Sequence, residues 1–239
     1  MKHSLLAASI LAFGLAVPAL SAENTSDVDQ IGLGHLANVN QHGNAKNTSK
    51  IVQKDGDGSD ALVHQNGTGG TQNINISNIE QLGSDHVAIV DQDGADNENT
   101  SDTRQLSGTG NRAETYQRGN DNKNDSTIFQ YGFNETAIVT QEGDGNVNKS
   151  VLVQSGAGNF ASVYQYGTNN ESDSLINLEA GLGNVMWIDQ GGTDNTNKSE
   201  AKTFGNSNFI SVQQGGTANT NDSFVNAVGS NNVAVVAQN

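Results

Sequence analysis

Glutamine recurs along this chain in two interleaved columns, and no other feature limits its fold as tightly. Written as Q-x-G, the glutamines pair at Gln30 and Gln41, Gln81 and Gln92, Gln130 and Gln141, and Gln154 and Gln165, with intervals alternating between 11 and about 13 residues. Aligned outward, the pattern gives nine repeats of about 24 residues whose second column is unbroken: Gln41, Gln65, Gln92, Gln117, Gln141, Gln165, Gln190, Gln214 and Gln238. The first column runs through Gln30, Gln53, Gln81, Gln105, Gln130 and Gln154. Counting then assigns Glu179, Thr203 and Ala227 to its last three places. A repeat this long, holding two short strands, is the size of one solenoid turn, so like side chains should stack at about 4.8 Å. The expected fold is all-β: a β-solenoid of nine strand-turn-strand rungs with cross-β geometry on assembly.

Within each repeat the hydrophobic period is 2, the period of a strand. Two residues before the second glutamine stand Val39, Val63, Val90, Thr115, Val139, Val163, Ile188, Val212 and Val236, and four before it a column of mostly alanine from Ala37 to Ala234. These share the face of the glutamine, which is therefore inside. The first strand places serine four before its glutamine, as at Ser26, Ser49, Ser126 and Ser150. Buried glutamine is unfavourable unless its amide is paired, and a stacked column lets each amide donate to one neighbour and accept from the other. Asparagine forms further columns. One precedes the first strand, from Asn24, Asn47 and Asn75 to Asn221, with Asp173 substituting once; another precedes the second strand at Asn111, Asn159, Asn184, Asn208 and Asn232. Glycine two after many glutamines permits the positive φ of a tight reversal.

The N-terminus and composition agree with an exported, self-pairing chain. Residues 1–22 read as a secretory signal, with Lys2, an apolar run from Leu5 to Val17, and a small-residue site ending at Ala22. Residues 23–239 then form one repeat domain, divided approximately at 24–46, 47–74, 75–98, 99–123, 124–147, 148–172, 173–196, 197–220 and 221–239. The chain has no cysteine, so backbone pairing must replace disulfides. A hydrophobic share of 33% and a net charge of -15 would by themselves suggest disorder, but the periodicity overrides that reading. With 11 Lys+Arg against 26 Asp+Glu there is no basic track for nucleic acid. The only proline is Pro18, so nothing after Ala22 forbids continuous strand pairing.

The spacing G-x-x-N-x-A-x-x-x-Q, seen at Gly108-Asn111-Ala113-Gln117, Gly156-Asn159-Ala161-Gln165 and Gly229-Asn232-Ala234-Gln238, resembles the curlin repeat. The resemblance covers the mature chain. It implies a fibre subunit of bacterial curli, exported by way of the periplasm of a Gram-negative cell with chaperones and an outer-membrane secretion channel. It further implies a nucleating minor subunit as partner, and a homopolymeric amyloid of the biofilm matrix and cell surface that serves adhesion. Such nucleators tend to have a basic terminal repeat, and Ala218 to Asn239 contains no Lys or Arg, which favours the major subunit. The first and last repeats follow the interior pattern, so both ends are expected to template further copies.

Other readings weigh less. Residues 55–60 alternate aspartate and glycine, but lack the sixth-place glycine and distal glutamate of a calcium loop and read as a solvated acidic turn. His35 and His86 fall in the asparagine column and His42 and His64 beside glutamines, without ligand spacing for a metal. No catalytic set stands apart from the repeat and the connections are short, so neither an enzyme nor a cofactor is expected. Val151, Val153, Phe160, Trp187 and Phe209 fall at outward positions, either as a lateral contact face or as ordinary scattered exposure. A monomeric β-solenoid adhesin or ice-binding protein is the competing class.

Overall fold

Strand after strand returns to the same two walls. The structure, a computed structural model, describes residues 23–43, 45–68 and 73–239; the expected secretory signal at 1–22 lies outside the described residues. Rung 1 consists of β1 (Asn24–Leu33) and β2 (Leu36–Gly43), rung 2 of β3 (Ala45–Asp57) and β4 (Asp60–Gly67), and rung 3 of β5 (Asn73–Leu82) and β6 (Val87–Ala95). Rungs 4 to 6 follow as β7 (Glu98–Thr109) and β8 (Arg112–Asn120), β9 (Lys123–Phe133) and β10 (Thr136–Asp144), and β11 (Val147–Ala157) and β12 (Phe160–Thr168). Rungs 7 to 9 are β13 (Glu171–Leu182) and β14 (Val185–Gln190), β15 (Thr196–Phe204) and β16 (Phe209–Gln214), and β17 (Thr220–Val228) and β18 (Val233–Gln238). Odd strands form one nine-stranded sheet and even strands another, each in rung order. All pairings are parallel. The all-β solenoid expected from the repeat is therefore the fold. No helix among the described residues is long and apolar enough to cross a membrane.

The period-2 alternation decides which side of each strand faces in. Ile51, Ile79, Ile128, Leu152 and Ile176 of the first sheet and Val63, Val90, Val139, Val163 and Ile188 of the second are buried in the interior. That core divides in two at rung 4, where Thr103 and Thr115 replace the aliphatic pair. Both ends of a rung close with the turn Q-x-G-x-x-N or a variant of it. In most turns the glycine has positive φ, and so does the residue two further on, which is usually Gly, Asn or Asp; in one case Gly143 is at +121° and Gly145 at +66°.

Rung 7 departs from the sequence register. Ser172 pairs with Asn148, Ser174 with Ser150, Ile176 with Leu152 and Leu178 with Gln154. The place in the glutamine column therefore belongs to Leu178, which is fully buried, and that in the asparagine column to Ser172. Glu179 and Asp173, which counting assigned to those columns, both point outward and are exposed. The cause is one extra residue before the turn glycine. Gln154 lies two residues before Gly156, whereas Leu178 lies three before Gly181, and the strand absorbs the difference in a bulge. Counting back from the glycine thus lands one residue late and reverses the face of the whole strand.

Candidate self-assembly columns

The glutamines meet as two hydrogen-bonded ladders. In the second sheet Gln41 donates Nε2–H to Oε1 of Gln65 at 2.8 Å, and the pattern repeats through Gln92, Gln117, Gln141, Gln165, Gln190 and Gln214 to Gln238. In the first sheet it runs from Gln30 through Gln53, Gln81, Gln105 and Gln130 to Gln154. The second Nε2 hydrogen goes to a carbonyl at the start of the facing strand, as from Gln117 to Thr100 at 2.9 Å and from Gln130 to Arg112 at 3.0 Å. Two donors committed on one side fix which amide atom is nitrogen. Each ladder is therefore directional, donating toward the higher rung throughout. Where the first ladder stops, Gln154 still donates to the Thr136 carbonyl, and Leu178 asks for no partner.

Asparagine supplies three more columns. Ahead of the first strand, Asn47, Asn75, Asn99, Asn124 and Asn148 each donate Nδ2–H back to Oδ1 of the rung before, opposite in sense to the glutamines. Asn111, Asn159, Asn184, Asn208 and Asn232 sit at the turn into the second strand. There Oδ1 accepts the backbone N–H of the next rung, as from Asn184 to Asn159 at 3.0 Å, while Nδ2 reaches a glycine carbonyl, as from Asn184 to Gly205 at 2.8 Å. The opposite turn holds a matching column that the spacing analysis missed: Asn97, Asn122, Asn146, Asn170, Asn195 and Asn219, joined in the same manner. Its signal was present in the sequence, since each lies five residues after a second-column glutamine, as Asn159 lies five after Gln154 at the first turn.

Three titratable groups stand in the first turn column, His35, His86 and Glu135, and the last two are fully buried. His86 is fully buried, and its Nδ1 accepts the Asn111 N–H at 3.3 Å, so Nε2 carries the proton and donates to the Leu82 carbonyl at 3.2 Å. Burial lowers its pKa and keeps it neutral. Glu135 is also fully buried. Its Oε1 accepts from Asn159 at 3.2 Å, its N–H donates to Asn111 Oδ1 at 3.0 Å, and Oε2 has no partner. Burial pushes its pKa up to about 7, against smaller opposing effects of the Asn159 amide and the Tyr131 backbone.

Outside the columns the outer faces carry ordinary surface chemistry. His64 contacts Asp91 at 3.0 Å and Arg118 pairs with the same carboxylate; His42 lies edge-on to His64. In the acidic turn, Asp57 accepts the Leu33 N–H at 3.0 Å and Ser59 takes the column place, bonding to His35. No group of three or more His, Cys, Asp or Glu side chains among the described residues could hold a metal ion.

The columns end at exposed edges. In rung 1 and in β18 the positions that are buried elsewhere are partly or fully exposed, whereas Asn221, Ser223, Val225 and Ala227 of β17 stay buried, and among the described residues the Oε1 atoms of Gln30 and Gln41 have no ladder donor. Gln238 Nε2 donates only to Asp222 O, at 3.0 Å. Residues 108–143, from the end of β7 through β10, match the family model of the curlin associated repeat, which supports a curlin-repeat assignment. No curated protein matches the chain.

Proposed function

Since the chain carries the curlin repeat on a β-solenoid, we propose that it is a structural subunit of extracellular curli-like amyloid fibres and polymerises end to end through its edge rungs. The observation that carries this reading is the match between the two edges. Continuing the register by one rung would set Asn221 over Asn24, Ser223 over Ser26 and Val225 over Val28 in the first sheet, and Ala234 over Ala37, Val236 over Val39 and Gln238 over Gln41 in the second. The direction of the ladders adds to it. Gln238 offers a donor nitrogen and Gln41 an acceptor oxygen, so head-to-tail docking joins them, whereas two identical ends would face like with like. One column fails to continue: Ala227 would lie over Gln30.

In this reading the glutamine and asparagine columns are the self-assembly site, residues 1–22 direct export, and the fibre serves the biofilm matrix and surface adhesion. The partners are other copies of the chain, together with the secretion channel, chaperones and nucleating subunit implied by the family. Absence of basic residues from Ala218 to Asn239 favours the major over the nucleating subunit. Electron microscopy and fibre diffraction of purified mature protein test the reading: unbranched fibres with a reflection near ~4.7 Å are expected. Protein that stays monomeric at high concentration, with a folded β circular dichroism spectrum, would replace it with a monomeric solenoid adhesin.

A further inference from the structure

The two outer faces of the solenoid differ in charge over its last four rungs. On the first sheet every strand there carries charge, with Lys149, Glu171, Lys198 and Asp222 among the residues concerned. On the second sheet β12, β14, β16 and β18 together contain a single charged residue, Asp189. The side chains displayed instead are mostly aromatic or apolar, with Ser162, Ser211 and Gln213 as uncharged polar ones. Trp187 is 53% exposed with its ring 6.1 Å from that of Phe160, Tyr164 stacks on Tyr166 at 4.6 Å, and Val233 and Val235 are 74% and 68% exposed. Asp189 is half-buried with Oδ1 unpartnered, and desolvation raises its pKa.

We propose that this face is a lateral contact through which one fibre pairs with the same face of a second fibre of this chain. The inference rests on the end-to-end reading, because only polymerisation completes the surface. Rung 1 presents Leu36, Asn38 and Asn40 outward without a charged side chain, so docking of the next subunit extends the neutral stretch from four rungs to five. The occupant follows from charge. A chain of net charge -15 repels its own copies wherever carboxylates face each other, and this stretch is where two copies approach without that cost.

Area then sets the order of events. Strands about 20 Å wide on a rung spacing of about 4.8 Å give roughly 400 Å² in a lone subunit and about 500 Å² across a junction, or about 1,000 Å² for a facing pair, the lower limit for a specific interface. Monomers therefore do not pair through it. In a fibre the patch recurs every nine rungs, and the contacts add along the length. Bundling follows growth.

Trp187 is the only tryptophan, so its emission reports this face directly. Wild-type fibres are expected to bundle, with Trp187 emission moving to shorter wavelength as sedimentation and fibre width increase. Trp187→Glu and Ser211→Glu should elongate from seeds within two-fold of wild type yet remain single filaments, while Phe224→Glu on the first sheet should bundle normally. Bundling of either second-sheet variant at the wild-type level, or wild-type bundles with unchanged Trp187 emission, would overturn the lateral contact and leave the polymer reading intact. Single wild-type fibres whose Trp187 emission shifts on adding an insoluble β-glucan would reassign the face to polysaccharide. No fibres at all would remove both readings.

Discussion

A carboxyl group that replaces an amide in a buried column inherits a socket shaped for a donor. Asn111, one rung before Glu135, points Nδ2 at the carbonyls of Ser107 and Gly132, and Glu135 carries an oxygen where that nitrogen would be. Burial away from water with Oε2 unpartnered penalises the charged form, which is the physical sense of a pKa raised from 4.5 to about 7. The sign follows. Below about pH 4.5 the group is protonated folded and unfolded, and its contribution is fully present; as pH rises through 7 the folded state must give up the proton, and about 3 kcal/mol of stability is lost. Glu135→Gln should match wild type near pH 4.5 and exceed it by up to this amount at pH 8, measured by urea unfolding of dilute monomer. An equal wild-type deficit at both pH values would show that the carboxyl does not titrate in the column.

At the level of the element, the turn rather than the strand is the least forgiving part of a rung. Gly156 has φ of +128°, and a Cβ there would lie 2.1 Å from the Gly181 carbonyl oxygen of the next rung. Gly158, two residues on, has φ of +64° with nothing within 4 Å of an added Cβ. Gly158→Asn should therefore cost little, about 1 kcal/mol or less, since Asn134 and Asn169 already take that backbone conformation at equivalent turns. Gly156→Ala should cost more than about 3 kcal/mol, because neither rung can move without breaking the ladder. Thermal unfolding of the two variants decides between this account and one in which both glycines serve only flexibility.

For the whole molecule, the decisive contrast is between ladders that cross the subunit junction and ladders that do not. Gln41→Ala and Gln238→Ala remove the two sides of the link that docking would form, and a neutral hydrogen bond of about 1 kcal/mol predicts seeded elongation slowed several-fold. Gln30→Ala is expected to leave elongation near wild type, as its acceptor would face Ala227. Gln130→Ala, inside the chain, should lower monomer stability by about 1 to 3 kcal/mol by stranding its neighbours. Equal elongation by all four would show that growth does not proceed by continuing these columns. Charge acts on the same step: lowering pH from 7 toward 4.4 at fixed ionic strength reduces the repulsion of a -15 chain and should shorten the lag, as followed by light scattering.

Period and column identity were determined by the sequence alone, because identical residues at fixed intervals can satisfy buried amides only by stacking. That logic was enough for the two-sheet solenoid, for both glutamine ladders and for the column running through Asn111 and Asn159. Register inside rung 7 was decided by the tertiary structure. One inserted residue before Gly181 leaves the count ambiguous, and only the competition for the interior between Leu178 and Glu179 resolves it, in favour of the side chain that loses nothing on leaving water. The tertiary structure also set the direction of the ladders, since a glutamine's two amide atoms are indistinguishable in sequence until a facing carbonyl claims the nitrogen. The neutral face around Trp187 arises likewise, by strands far apart in the chain being laid side by side.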